Sequence, residues 1–224
     1  MTSILSTHRR PLLVAGLLIL IVVAFVLGAA RYRAQAHAEQ QARVHQQDDR
    51  MVRPHSPVIG PRDAPVTLVE FFDPACESCR YFYPKVKEIL ARHPKEVRLV
   101  LRYAPFHAGS DQVVALLFAA QAQGRLQPVL EALLAAQPQW ADHAQPDLSV
   151  AVQVAQQAGL DMAQAAEQAR SATTLQALRQ DVADLEALGI RRTPTFFVNG
   201  QGLERFGPEA LEALVAQEVA RTRR

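Results

Sequence analysis

The chain has 224 residues, of which 24 are lysine or arginine and 22 are aspartate or glutamate, so its net charge at neutral pH is only +2. Because this charge is weak and the basic residues are not interleaved with aromatic ones, we expect no nucleic-acid partner. The length and a hydrophobic fraction of 49% suit one globular domain with accessory segments.

Residues 11–30, PLLVAGLLILIVVAFVLGAA, contain no charged side chain and follow a short N-terminal tail, residues 1–10. A helix of this length spans a hydrocarbon layer of about 30 Å. A cleavable signal peptide is the alternative, because basic residues precede the run and small residues follow it, but signal peptides have shorter apolar regions of about 7–15 residues. The length favours a transmembrane anchor, and the arginines on both sides leave its orientation open.

Residues 31–56 are rich in Gln, Ala, Arg and His and show no apolar periodicity. This composition predicts a polar linker, either a tether or a helical extension, that leads away from the membrane. Its three histidines, His37, His45 and His55, do not share a helix face, so we expect solvated side chains and no metal site.

A strand, a helix and a second strand follow the linker. The apolar run PVTLVEFF, residues 65–72, is typical of a buried strand, and EVRLVLRY, residues 96–103, predicts another. The segment between them predicts a helix from Cys76 to about Arg92, with Pro84 inside it. In a βαβ unit of this spacing the two strands are parallel.

The next part of the chain predicts a helical subdomain inserted into the α/β domain, about residues 108–172. Asp147 and Asp161 occupy helix N-cap positions, and Asp161 with Gln164 has the spacing of a capping box. The predicted helices cover residues 110–123, 126–136, 147–158 and 161–171.

A longer amphipathic helix follows the insert and ends at Gly189. Its apolar spacing predicts one buried face, which is made of Leu175, Leu178, Val182 and Leu185.

The C-terminal part predicts a hairpin and a last helix. Residues 195–198 form a strand, Asn199-Gly200 is a strong signal for a type I′ turn, and the return strand passes through Leu203. Pro208 then takes the first position of the last helix. The predicted order is β, α, β, helical insert, α, β, β, α.

The segment FFDPACESCR, residues 71–80, contains the only two cysteines, Cys76 and Cys79. A zinc site would need further ligands at close spacing, and a haem attachment site would need His in place of Arg80, so we expect no metal and no cofactor. Two inert buried thiols remain one alternative.

A redox pair is the other alternative, and it has a mechanism. Residues i and i+3 share a helix face, so the two sulfurs can reach bonding distance. Cys76 lies near the unpaired N–H groups and the positive end of the helix dipole, which stabilise a thiolate. Cys76 would therefore attack or be attacked, and the more shielded Cys79 would resolve the mixed disulfide.

Two segments resemble a known family. VEFFDPACESCRYFYP is similar to the active-site segment of thioredoxin-fold oxidoreductases, and GIRRTPTFFVNG, residues 189–200, is similar to their second signature. The helical insert makes the chain resemble the DsbA-like thiol:disulfide oxidoreductases in particular, over about residues 57–220. The resemblance implies a thioredoxin-like α/β fold with an inserted helical subdomain, here preceded by one transmembrane helix.

The resemblance also implies site residues. The Thr193–Pro194 bond would be cis, with Pro194 beside the cysteine pair and the backbone of Thr193 in contact with substrate. Glu70 corresponds to a buried acid that assists proton transfer to the inner cysteine, and burial would raise its pKa. The alternative for Glu70 is an outward-facing strand residue, and Asp73 is expected to be a turn residue.

Glu77 and Ser78 between the cysteines depart from the family, in which Pro followed by His or Tyr is common. A negative charge near Cys76 disfavours its thiolate, so we expect a redox potential below the strongly oxidising end at about −120 mV.

The expected function is disulfide exchange with exported proteins by a single-pass protein of the bacterial inner membrane, whose catalytic domain faces the periplasm. A DsbB-like membrane protein would reoxidise the cysteine pair. The alternatives are a periplasmic reductase or isomerase, and a binding module of the same fold without catalysis.

Overall fold

The computed structural model describes residues 9–45 and 50–223. Most of the predicted N-terminal tail therefore lies outside the described residues. The chain divides into two units, residues 1–42 and residues 43–224.

The described residues of the first unit belong to one helix, α1 (Arg9–His45). Within it Leu17–Ala36, 20 residues with a mean hydropathy of 2.0, is long and apolar enough to cross a membrane. It is the only such helix in the described ranges. The predicted apolar run lies entirely in α1, and the polar residues after it continue the helix to His45.

Five strands of the described residues form one sheet, in the order β1-β3-β2-β4-β5. The parallel pairing of β2 with β3 is confirmed, with Val66 opposite Val97 and Phe72 opposite Tyr103. The short edge strand β1 was not predicted, and β5 ends before Leu203, the residue through which the return strand was expected to pass. The strands are β1 (Val58–Ile59), β2 (Val66–Phe72), β3 (Val97–Tyr103), β4 (Thr195–Val198) and β5 (Gln201–Gly202).

The hairpin turn has the predicted conformation. Asn199 and Gly200 both have positive φ, 47° and 79°, as a type I′ turn requires. The Asn199 side chain also accepts a hydrogen bond from the Thr67 N–H at 2.8 Å. The turn is thereby fixed to the start of β2.

The helices after α1 surround the sheet and build the insert. Their bounds are α2 (Glu77–Arg92), α3 (Ser110–Ala122), α4 (Leu126–Ala135), α5 (Gln137–Trp140), α6 (Leu148–Gln157), α7 (Met162–Ala169), α8 (Ala172–Leu188) and α9 (Pro208–Thr222). Each predicted helix is present, and the short α5 is additional. Pro84 lies inside α2, and Pro208 begins α9 as predicted.

The predicted N-caps of the insert are confirmed. The Asp147 carboxylate accepts from the N–H groups of the first turn of α6, and Asp161 does the same for α7. The reciprocal half of the capping box is absent, because Gln164 donates to the Asp161 carboxylate. The Asp161 N–H donates instead to Gln123, at 2.9 Å.

The predicted buried face of α8 is partly wrong. Leu185 is buried and Leu178 packs against the core, but Leu175 and Val182 are exposed. The buried side of the helix includes two aspartates, Asp181 and Asp184.

Arg102 on β3 is the reason why α8 turns these aspartates inward. Its side chain is fully buried, and Nη2 lies 2.7 Å from both Asp181 Oδ1 and Asp184 Oδ2. A buried guanidinium requires carboxylate partners. The helix therefore presents Asp181 and Asp184 to the sheet rather than Leu175 and Val182.

The segment before β1 joins the same cluster of charges. Arg53 pairs with Asp184 at 2.8 Å, and His55 Nε2 lies 2.8 Å from Asp181 Oδ1. The expectation that His55 is solvated is therefore wrong, while the side chains of His37 and His45 lie outside those described. The packed part of the chain extends further toward the N-terminus than residue 57, the predicted start of the domain.

Candidate active site

Cys76 is the N-cap residue of α2, and Cys79 lies in the first turn of that helix. Both are free thiols. Residues 73–76, here called the cysteine loop, connect β2 to α2. The side chain of Cys76 contacts the loop that precedes β4, where its Sγ lies 3.3 Å from the carbonyl oxygen of Thr193.

Hydrogen bonds lower the pKa of Cys76 to about 6. The largest contribution is a hydrogen bond from the Cys79 thiol, and burial opposes it by raising the pKa. Smaller contributions that lower the pKa come from the Thr193 side chain and from the backbone N–H groups of Cys79 and Ser78. The side chain of the neutral thiol makes no capping hydrogen bond. The thiolate, in contrast, takes the place of the oxygen that usually caps a helix N-terminus.

The pKa of Cys79 is shifted in the opposite direction to that of Cys76. Its side chain is fully buried, and this burial, together with its hydrogen bond to Cys76 and the charge of Glu70, raises its pKa well above the usual value. The backbone N–H of Asp73 approaches its sulfur at 3.5 Å. At neutral pH one sulfur of the pair is therefore a thiolate and the other keeps its proton.

Glu70 lies on β2 on the same side of the sheet as this pair. Its carboxyl group is buried, and neither oxygen has a hydrogen-bond partner within the described part of the chain. Burial, and to a smaller extent the charge of Cys76, raises its pKa to about 8. The alternative of an outward-facing strand residue is wrong, and the predicted direction of the pKa shift is confirmed.

The Thr193–Pro194 peptide bond is cis, as predicted. It directly precedes β4, which pairs antiparallel with β2. The pairing of β4 with β2 brings Thr193 beside Cys76, although the two residues are separated by 117 positions in the chain.

Asp73 has a larger role than the predicted turn residue. It does accept a hydrogen bond from the Ala75 N–H, at 2.9 Å, as turn residues do. Its buried carboxylate also accepts from the backbone N–H groups of Phe106 and His107, at 2.7 Å and 3.0 Å, and from the Ser110 hydroxyl. Asp73 therefore fastens the cysteine loop to the start of the helical insert.

The insert also contacts the cysteine loop and α2 through two residues that the sequence did not indicate. Gln137 in α5 is buried and donates from Nε2 to the carbonyl oxygens of Pro74 and Cys76, at 2.8 Å and 3.0 Å. His143 Nε2 lies 3.1 Å from Glu77 Oε1, and both side chains are exposed. These residues line an open pocket of about 520 Å³ beside the cysteine pair.

Comparison with known proteins assigns the chain to a family. A family model described as Thioredoxin matches residues 53–217. The chain belongs to this family. The thioredoxin-like α/β fold is confirmed, and the likeness to DsbA-like proteins is one of fold.

Solved structures agree with the thioredoxin assignment. A thioredoxin-like oxidoreductase from Silicibacter pomeroyi is 28% identical, with a TM-score of 0.66 over 78% of this chain and 96% of that one. The thiol-disulfide exchange protein alpha-DsbA2 from Wolbachia pipientis is 15% identical, with a TM-score of 0.67 over 82% of this chain and 97% of that one. The second match shows the fold alone.

Curated relatives add a different context. The Na(+)/H(+) antiporter NhaA 3 of Salinispora tropica is 34% identical over 163 residues, which cover 71% of this chain and 24% of the antiporter. The chain spans about a quarter to a third of the length of such relatives. A segment similar to this thioredoxin-family chain thus occurs within longer proteins named as antiporters.

Proposed function

We propose that the chain is a membrane-anchored thiol:disulfide oxidoreductase that exchanges disulfides with exported proteins through Cys76 and Cys79. The observation that carries this proposal is the contrast in acidity within one helical turn: the pKa of Cys76 is about 6, while that of Cys79 is raised. A thiolate next to a shielded, protonated thiol is the arrangement that dithiol exchange requires. The two inert thiols considered above would need no such contrast.

In the oxidising direction a substrate thiolate attacks Sγ of Cys76 in the Cys76–Cys79 disulfide. The Cys76–Cys79 bond breaks, Cys79 leaves with the electron pair, and a mixed disulfide joins Cys76 to the substrate. A second substrate thiolate then attacks the substrate sulfur of this mixed disulfide, and Cys76 leaves as a thiolate. Two electrons pass from the substrate dithiol to the protein, and the substrate gains one disulfide.

Glu70 would supply the proton that Cys79 needs when it leaves. Since the pKa of Glu70 is about 8, the carboxyl group is largely protonated at neutral pH. It is coupled electrostatically to both sulfurs. In the reverse direction the same group takes the proton back from Cys79, as a general base.

Thr193 and Pro194 would bind the substrate. The Thr193 carbonyl oxygen lies 3.3 Å from Cys76 Sγ, so a peptide whose cysteine bonds to Cys76 must run past this loop. We infer that the backbone of Thr193 hydrogen-bonds to such a peptide, while Pro194 packs against the disulfide.

The proposed location follows from the chemistry. A catalytic disulfide persists in an oxidising compartment, so α1 would anchor the chain in a bacterial inner membrane with the catalytic domain in the periplasm. A DsbB-like membrane protein would accept the two electrons from the reduced pair. After intact spheroplasts are treated with a membrane-impermeant reductant, a membrane-impermeant maleimide should label Cys76, and labelling only after lysis would contradict this orientation.

Exchange with a reduced peptide that contains two cysteines tests the activity. Wild-type protein in which the Cys76–Cys79 disulfide is formed should oxidise the peptide, and Cys76→Ser should be inactive. Cys79→Ser, given the peptide in its disulfide form, should accumulate a mixed disulfide through Cys76, because Cys79 is no longer there to resolve it. If Cys76→Ser retained full exchange, the proposal would fail. If wild type showed no exchange but bound partners with either cysteine replaced, the chain would be a binding module.

The direction of electron flow has its own test. An oxidase should hold Cys76 and Cys79 mostly oxidised in cells and accumulate the reduced form when the membrane oxidase is removed. A reductase or isomerase should hold them mostly reduced in both strains. Alkylation of free thiols in acid-quenched cells separates these outcomes.

A further inference from the structure

Gln137 is a buried polar residue at the start of α5, and it contacts the cysteine loop rather than its own helix. Its Nε2 donates to the carbonyl oxygen of Pro74 at 2.8 Å and to that of Cys76 at 3.0 Å. Both protons of the amide are therefore used on the backbone of the loop that carries the nucleophile.

The other half of the amide has no partner. Gln137 Oε1 is buried and accepts no hydrogen bond from any described residue. A buried acceptor without a donor is destabilising, and an apolar side chain of similar shape avoids this cost. The residue is thus poorly explained by stability, and its effect on the cysteine loop remains as the reason for its position.

The two carbonyl groups that Gln137 holds belong to the turn that sets the environment of the Cys76 sulfur. Cys76 is the N-cap residue with an extended backbone, and its carbonyl also accepts the Arg80 N–H at 3.1 Å. The orientation of this carbonyl fixes the next peptide units, whose N–H groups at Ser78 and Cys79 favour the Cys76 thiolate. A small rotation of the N-cap would turn these donors away from the sulfur.

We propose that Gln137 is a positioning residue: by holding the carbonyl groups of Pro74 and Cys76, it keeps the first turn of α2 in the orientation that stabilises the Cys76 thiolate. The helical insert then controls the reactivity of the nucleophile as well as covering the domain. The inference rests on the proposed function, in which the Cys76 thiolate reacts.

Gln137→Met tests this role, because it preserves the approximate shape and removes both donors together with the unpaired oxygen. In the full chain with both cysteines reduced, the rate of alkylation by iodoacetamide is measured against pH. The midpoint for Cys76 should rise by about one pH unit. Alkylation below the wild-type midpoint should then be about threefold slower, and above the new midpoint about threefold faster, because a thiolate of higher pKa is more nucleophilic.

The matched control changes Gln139, an exposed glutamine of the same short helix, and the profile of Gln139→Met should coincide with that of wild type. Gln137→Asn, which is too short to reach both carbonyls, should shift the midpoint as Gln137→Met does. Urea unfolding of each variant shows whether the fold is intact. A purely structural role predicts reduced stability with an unchanged midpoint, and this result, or an unchanged midpoint at full stability, would overturn the inference.

Failure of this inference is distinguishable from failure of the proposed function. Alkylation by a small electrophile needs no protein substrate, so the midpoint reports on Gln137 alone. If the midpoint does not shift and the wild type still oxidises the dithiol peptide, only the role of Gln137 is refuted. If the midpoint shifts and the wild type shows no exchange, only the proposed function is refuted.

Discussion

The buried carboxyl group of Glu70 predicts how the stability of the protein depends on pH. Its pKa is raised from 4.5 to about 8, first by burial and second by the charge of Cys76. Between these values the group is ionised in the unfolded chain and protonated in the folded one. Unfolding then releases a proton, so the free energy of unfolding falls as the pH rises through this window.

The size of the effect follows from the two pKa values. Each pH unit between 4.5 and about 8 lowers the free energy of unfolding by about 1.4 kcal/mol. The loss is about 3 kcal/mol at pH 7 and levels off near 5 kcal/mol above pH 8. Glu70→Gln removes the ionisation and with it this slope. The unpaired amide of the new side chain changes the stability by an amount that does not depend on pH.

Urea unfolding of the reduced protein at a series of pH values measures this difference. The free energy of unfolding of Glu70→Gln minus that of wild type should increase by about 1.4 kcal/mol per pH unit from about pH 5 to pH 8. The control is Glu186→Gln on the exposed side of α8, for which the difference should not change with pH. The slope should survive in a Cys76→Ser background, because burial is the main cause. Parallel curves for wild type and Glu70→Gln would refute the reasoning.

Three further predictions concern other polar groups. Arg102→Met removes the buried guanidinium that Asp181 and Asp184 share and should lower the free energy of unfolding by about 3–5 kcal/mol in urea titrations. A second change, Asp181→Asn, should restore part of this loss. Asp73→Asn should cost about 3 kcal/mol in the same assay, because the buried acceptor loses its charge. His143→Gln removes the exposed imidazole beside Glu77 and should change the redox potential, measured against glutathione, by at most about 20 mV, because the contact is exposed; a larger change would contradict this.

Local sequence patterns were sufficient for most of the secondary structure. β2 and β3 are mostly apolar and are buried along most of their length because both sides of each strand are covered. α6, α7 and α9 begin at clear capping or proline signals. β1 was missed because a strand of two residues shows no period. Its position depends on pairing with β3, some forty positions later in the chain.

Some residues of the site could likewise be predicted from the nearby sequence, whereas others are identified only by contacts between distant segments. Cys76 and Cys79 could be predicted from a short motif, whereas the cis bond before Pro194 and the buried Glu70 were expected only from the resemblance to thioredoxin-fold oxidoreductases. Gln137 could not be predicted, because nothing near it in sequence distinguishes it from the other glutamines of the insert. Its partners lie 61 and 63 positions away, so only the folded arrangement identifies it.

The α8 helix shows why a hydrophobic pattern can indicate the wrong face. Leu175 and Val182 predict burial on their own, but Arg102 on the facing strand must be neutralised, and Asp181 and Asp184 are in reach. Leaving an arginine unpaired inside the domain costs more than exposing two aliphatic side chains. The orientation of the helix is therefore set by a charge on another element.

The acidity of Cys76 and the charge of Glu77 act on the redox potential in opposite directions. A stable Cys76 thiolate favours the reduced pair, so a pKa of about 6 makes the disulfide more oxidising than that of thioredoxin, whose corresponding cysteine has a pKa of about 7 and whose potential is about −270 mV. The pKa of Cys76 is still higher than the value of about 3.5 found at the oxidising end of the range, near −120 mV. Because the Glu77 side chain is exposed, solvent screens its charge and the glutamate weakens the thiolate only slightly. Equilibration with glutathione should therefore give a potential between these two values, and a value at either end would contradict the balance of charges described for the first turn of α2.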